Sequence, residues 1–140
     1  MKKKLAFLFL IATLLTACAG TSPSISLSGT TWDLVSHGPM DSPTPALPDV
    51  DATISFGDDG NLNGNVGCNG FFGGYEISGN TITTGPLAST MMACDTPQMD
   101  QEFAVVMLLN GTLDFESDGT TLTIFSEDGS LALHLVRNTE

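Results

Sequence analysis

From residue 29 onward, apolar and polar residues alternate in short runs separated by clusters of Gly, Asp and Asn. A period of two is the pattern of a strand with one face in a core and the other in solvent. Eight runs stand out: Thr31–Ser36, Ala52–Phe56, Leu62–Val66, Gly74–Ser78, Thr81–Thr84, Leu113–Ser117, Thr121–Ser126 and Leu131–Val136. Gly57-Asp58-Asp59-Gly60, Gly79-Asn80, Ser117-Asp118-Gly119 and Glu127-Asp128-Gly129 join neighbouring runs with the residues that hairpin turns require. Alternation also assigns faces: Leu131, Leu133 and Leu135 share one side of the last strand, and Tyr75 and Ile77 point together, away from Glu76.

One stretch breaks the period. Thr96 is placed to cap a helix and Pro97 to open it, with Asp100 and Glu102 near the positive end of its dipole and Gly111 as terminator. Met99, Phe103, Val106 and Leu109 recur at helical spacing and are expected to face the core. The predicted fold is mostly β, in the α+β class: a small curved antiparallel sheet or barrel of about eight strands with one packed helix. Closing the sheet would remove its unpaired edges. A length of 140 residues leaves room for one such domain.

The amino terminus is of another kind. Three lysines precede an apolar run from Leu5 to Leu15 and small residues, the layout of a cleaved secretory signal. The run falls short of the ~20 residues that a membrane span needs. Leu15-Thr16-Ala17-Cys18 resembles the bacterial lipobox, which implies cleavage before Cys18 and acyl chains on it; the alternative is an ordinary signal that happens to end at a Cys. Several acyl chains anchor firmly where a single one is marginal. Ala19, standing where Asp would mark inner-membrane retention, points to the outer membrane. The expected organisation is a signal peptide over 1–17, lipidated Cys18 with an uncharged flexible tether over 18–28, a folded domain over 29–137 and a tail over 138–140.

The formal charge is −12, but the four cations are Lys2, Lys3, Lys4 and Arg137. Without the signal, Arg137 alone faces sixteen carboxylates, a formal balance of −15. Such a surface cannot neutralise phosphates, which excludes DNA and RNA as partners and charge-driven docking to anionic lipid. A strongly bound macromolecule is expected to be basic, for example a basic envelope protein, or to be bridged by cations. Once Cys18 carries lipid, Cys68 and Cys94 remain as a pair, and an oxidising compartment makes a disulfide the default over two separate buried thiols. A bridge closing 26 positions contributes roughly 3–4 kcal/mol in the chain-entropy model.

A family resemblance rests on Gly29-Thr30-Thr31-Trp32, Ile54-Ser55-Phe56, Gly64-Asn65-Val66-Gly67-Cys68-Asn69, Thr90-Met91-Met92-Ala93-Cys94, Glu102-Phe103 and the closing strands Leu122–Phe125 and Leu131–Leu135. In this order they resemble the META domain of HslJ-like bacterial lipoproteins, over residues 29–137. The resemblance implies a small β-barrel-like fold with one helix in secreted or envelope-anchored proteins. It implies no catalytic mechanism.

Motifs of known chemistry are missing: the chain has no nucleophile elbow, zinc-protease helix, Walker loop or dinucleotide fingerprint. No catalytic residue, metal ligand or cofactor is predicted. His37 opens a Pro-rich loop that runs to Asp51, and His134 lies on the polar side of the last strand, so both are expected to be solvated. The carboxylates from Asp58 to Asp59 and at Asp118, Glu127 and Asp128 are explained by their turns rather than by calcium. Asn69, Phe71 and Phe72 form the candidate binding surface, on a glycine-rich stretch that the disulfide would hold. Alternation sends one phenylalanine inward and the other outward, whereas a bulge at Gly73-Gly74 would bury both.

The expected function is that of a non-catalytic lipoprotein of the outer membrane, its domain facing the periplasm, with a binding role in envelope stress or integrity. Two alternatives stand beside it: an acidic inhibitor of a cationic hydrolase such as lysozyme, and a lipocalin-like carrier of a small apolar ligand.

Overall fold

The structure, a computed structural model, describes residues 25–140. Ten strands and one helix follow one another among them: β1 (Thr30–Pro39), β2 (Thr44–Pro45), β3 (Thr53–Phe56), β4 (Asn61–Asn65), β5 (Gly70–Ser78), β6 (Thr81–Thr84), β7 (Ala88–Ser89), α1 (Thr96–Leu108), β8 (Thr112–Ser117), β9 (Thr121–Phe125) and β10 (Leu131–Arg137). All pairings are antiparallel, in the order β10-β9-β8-β6-β5-β4-β3-β1. β1 then pairs with β10, from Trp32↔Arg137 to Pro39↔Leu131, and closes an eight-stranded barrel. The mostly β fold with one helix is as the alternation predicts.

Closure follows from where the apolar residues point. Trp32 and Leu34, Ile54 and Phe56, Leu62, Phe71 and Tyr75, Ile82, Leu113 and Phe115, Leu122 and Ile124, and Leu133 and Leu135 all face inward and are buried. In an eight-stranded barrel the interior is just wide enough for such side chains to fill. Phe56 meets Tyr75 edge to face at 5.1 Å, and the Tyr75 hydroxyl donates to the Gly57 carbonyl at 2.8 Å. The sole cation among the described residues, Arg137, lies 5.2 Å over the Trp32 ring. In the hairpins, Asp118 and Asp128 accept from the backbone N–H groups of Thr120, Thr121 and Ser130, which holds both carboxyls well below the usual carboxylate range.

The barrel has two distinguishable ends. β1 begins beside the end of β3 (Thr30↔Phe56) and the end of β10 (Trp32↔Arg137), so residues 25–29 enter there. The turn between β4 and β5 and the start of β8 lie at the opposite end, and α1 sits across it.

Several expectations change. Leu27 is fully buried and Ser28 donates to Asp58, so the stretch expected as tether is part of the domain by residue 27; residues 1–24, including Cys18, lie outside the described residues. Asn138 donates its backbone N–H to the Thr31 carbonyl and its amide to Asp33, so the domain also continues past 137. The loop after β1 folds back as β2, which pairs with Ser36 and His37. β5 begins at Gly70 rather than Gly74 because it pairs with β4 along its first half (Asn65↔Gly70, Asn63↔Phe72). Asp95, not Thr96, is the N-cap of α1, and it makes no side-chain cap bond. Leu131 and Ile77 are exposed at strand ends despite sharing faces with buried residues.

Gly64 is the tightest point of the wall. A Cβ there would collide with the Thr53 carbonyl and come within 2.9 Å of the Phe71 ring, whereas at Gly74 it would meet nothing nearer than 4.0 Å. Gly64→Ala is expected to lower stability by about 1–3 kcal/mol in urea unfolding. Gly74→Ala is expected to change it by less than about 0.5 kcal/mol, and equal effects would refute the close packing inferred at Gly64.

Candidate functional site

The turn from β4 to β5 carries Gly67, Cys68 and Asn69, and three separate segments are fastened to it. Cys68 forms a disulfide with Cys94, just before α1, with Cα atoms 5.9 Å apart. From α1 itself, the Glu102 carboxylate accepts from the backbone N–H groups of Cys68 (2.9 Å) and Asn69 and from the Asn69 amide (3.0 Å). The Asn69 amide oxygen accepts from the Thr90 hydroxyl (2.9 Å) and the Met92 N–H (2.7 Å), and the amide nitrogen also donates to the Met92 carbonyl (3.3 Å). One helical position earlier, Gln101 donates to the Val66 carbonyl (2.6 Å) and accepts from the Leu47 N–H (2.8 Å). Gly67 has no room for a side chain, because a Cβ would strike the Gln98 carbonyl and lie 2.8 Å from the Glu102 Cβ.

These bonds fix the rotation of the helix. Gln101, Val105 and Leu108 are its buried residues, with Leu109 just beyond its end and Val106 partly buried. Met99, Phe103 and Met107, at intervals of four, fall on the opposite side and are exposed, Phe103 at 69%. The expected core stripe is therefore corrected: Met99 and Phe103 face outward, because Glu102 must reach the turn and Gln101 the carbonyl of Val66. Met91 (98% exposed) and Met92 lie on the neighbouring segment, whose backbone is tied to Asn69.

The predicted surface residues separate in the same way. Phe71 is buried and Phe72 is 59% exposed, as strand alternation requires, with no bulge between them. Asn69 is 5% exposed and its amide is spent inside the protein, so it is corrected from a binding residue to a clamp. Phe72 therefore remains as the outward member of the three, while Met91, Met92, Met99, Phe103 and Met107 are apolar surface that pattern reading missed. Their signal was present: α1 has apolar positions on two faces, and only the polar partners of Glu102 and Gln101 tell which one is covered.

His37 is corrected from solvated to buried. It lies in β1 opposite Leu133 and lines a cleft of about 340 Å³ with Thr44, Pro45, Leu47, Pro97, Asp100 and Gln101. Burial pushes its imidazole below the ordinary histidine range. His134, opposite Ser36, faces the other side of the sheet, within 3.4 Å of the Thr123 hydroxyl. The register thus separates the two imidazoles. Among the described residues, no group of three or more His, Cys, Asp or Glu is placed to hold a metal ion.

The family model described as META domain matches residues 25–139. Among solved structures, a protein from Burkholderia xenovorans determined by NMR is similar over 81% of this chain and 85% of its own, at 22% identity and a TM-score of 0.70. A crystal structure of a DUF4847 family protein from Bacteroides vulgatus is similar over 81% of this chain and 96% of its own, at 17% identity and a TM-score of 0.58. A second NMR structure matches at 22% identity and a TM-score of 0.58, over 76% of this chain and 88% of its own. At these identities the likeness concerns the fold. No curated protein matches the sequence.

Glu102→Ala leaves two backbone donors and one amide without their acceptor and is expected to cost on the order of 2–4 kcal/mol in urea unfolding. Glu102→Gln, whose amide oxygen still accepts, should recover part of that loss. Ala104→Ser, on the exposed side of the same helix, should stay within about 0.5 kcal/mol of the parent, and a comparable loss there would show that Glu102 is not special.

Proposed function

The chain belongs to the META domain family, and on that premise we propose that it is a lipid-anchored envelope protein that acts by binding, without catalysis, in a stress or integrity role. The observation that carries this reading is the outward apolar set Phe72 on β5, Met91 and Met92 before α1, and Met99, Phe103 and Met107 on α1, elements fastened to the β4–β5 turn by a disulfide and a carboxylate. Exposed apolar patches on a small domain mark contact sites, and methionine adapts its shape to what it meets. Anchoring is supported by Leu15-Thr16-Ala17-Cys18 in the sequence, and Ala19 favours the outer membrane. With lipid on Cys18, the tether enters at one end of the barrel and the apolar residues of α1 stand at the other, facing the periplasm.

A second reading, inhibition of a cationic hydrolase such as lysozyme, is favoured by sixteen carboxylates against the single cation Arg137 among the described residues. For the carrier reading no specific observation speaks; Trp32, Phe56, Phe71 and Ile124 are buried inside the barrel.

Replacement of Cys18 by Ser is expected to release the protein from the membrane fraction or leave it unprocessed, with acyl labelling lost. A variant that is still processed and still labelled by fatty acid would overturn the anchoring. For the second reading, micromolar protein at low salt should slow lysozyme turnover, and unchanged turnover would eliminate it.

A further inference from the structure

We infer that the outer face of α1, together with Met91 and Met92, is a docking surface for a basic amphipathic segment of a partner protein. The inference rests on the binding role proposed above and names the chemistry of the partner. Met99, Phe103 and Met107 form an apolar line along the helix, two turns from end to end, with Asp100 beside it and Asp95 at its start. All five are exposed. Glu102, the remaining acid of the helix, is consumed by the turn and adds no free carboxylate to this face.

Three kinds of occupant compete for such a surface, and charge and position separate them. A second copy would bring two domains together that each carry sixteen carboxylates and one arginine among their described residues, so like charge opposes it. A bilayer is opposed by position as well as by charge. Residues 25–29 enter the barrel beside Phe56 and Arg137, whereas α1 crosses the far end, so a lipid on Cys18 tethers the domain by the end away from the apolar line. A protein segment with apolar residues every three to four positions and Lys or Arg at their flanks satisfies both features. Its apolar side would cover the methionines and Phe103, and its cations would meet Asp95, Asp100 and the field of the whole domain. Methionine-rich surfaces suit this task because the unbranched thioether repacks against helices of different sequence.

The test uses the full chain in zwitterionic lipid nanodiscs, with empty nanodiscs as the blank. The probe is a fluorescein-labelled peptide of Leu and Lys with Leu on one helical face, compared by anisotropy with a scrambled peptide of the same composition. The patterned peptide is expected to bind at least about tenfold more tightly than the scrambled one, a difference of about 1.4 kcal/mol. Phe103→Ser with Met107→Ser should remove that preference while leaving the melting temperature and the weak binding of the scrambled peptide unchanged. Equal affinity for the two peptides, or a preference that survives both substitutions, would overturn the inference and leave bulk charge attraction as the cause. Concentration-dependent dimers in sedimentation, lost in the double variant, would assign the face to a second copy. Retention of the Cys18→Ser chain on zwitterionic vesicles, lost in the double variant, would assign it to the bilayer. Either result overturns the inference, while neither bears on acylation of Cys18, which fractionation and fatty-acid labelling read separately.

Discussion

The carboxylate of Glu102 accepts from the backbone N–H groups of Cys68 and Asn69 and from the Asn69 amide, and much of the structure at that end of the barrel depends on this contact. A turn whose N–H groups point inward needs an acceptor, since a buried donor without one carries its full desolvation cost. Glu102 meets that need only if α1 lies across the turn with this side chain beneath it. That position leaves no room for a Cβ at Gly67, places Gln101 on the Val66 carbonyl, and lets the Cys68–Cys94 bridge close just before the helix begins. Asn69 extends the same network to Thr90 and Met92, so the segment between β7 and the helix is fixed as well.

The exposed apolar face of α1 is a by-product of this rotation. Once one face of α1 is committed to the turn and the barrel, Met99, Phe103 and Met107 have nowhere to go but outward. A helix with apolar residues on both faces is unusual on a soluble surface unless a partner covers the second face. With Arg137 over Trp32 as the single described cation, ion pairs contribute little to the fold, and barrel closure, side-chain burial and the disulfide carry it. The carboxylates that serve structure do so locally, Asp118 and Asp128 by accepting turn N–H groups.

The strands were readable because the period of two is a local property: each hairpin announces itself by its turn residues, and the faces of β3, β4, β6, β8 and β9 follow from alternation. The errors lie where a distant partner intervenes. β5 is longer than its pattern because β4 pairs with its Gly-rich start, and the loop after β1 is ordered because β2 finds the edge left by β3. His37 is buried because that same fold-back and α1 enclose it. Phe71 and Phe72 could be assigned opposite faces from sequence, though not which of them faced the core.

Alternation, turn chemistry and the odd cysteine count were enough to predict a small antiparallel sheet or barrel with one helix and a Cys68–Cys94 pair, because each rests on neighbours in sequence or on the redox compartment expected from the amino terminus. The resemblance to META domains rests on the same kind of local motif. Which side of α1 is covered, why Asn69 is internal, and where the apolar surface stands relative to the entry of the chain depend on contacts more than thirty positions apart. Those contacts are hydrogen bonds from a carboxylate and an amide to backbone groups. Backbone groups are the same at every residue, so no pattern of side-chain types along the chain records them.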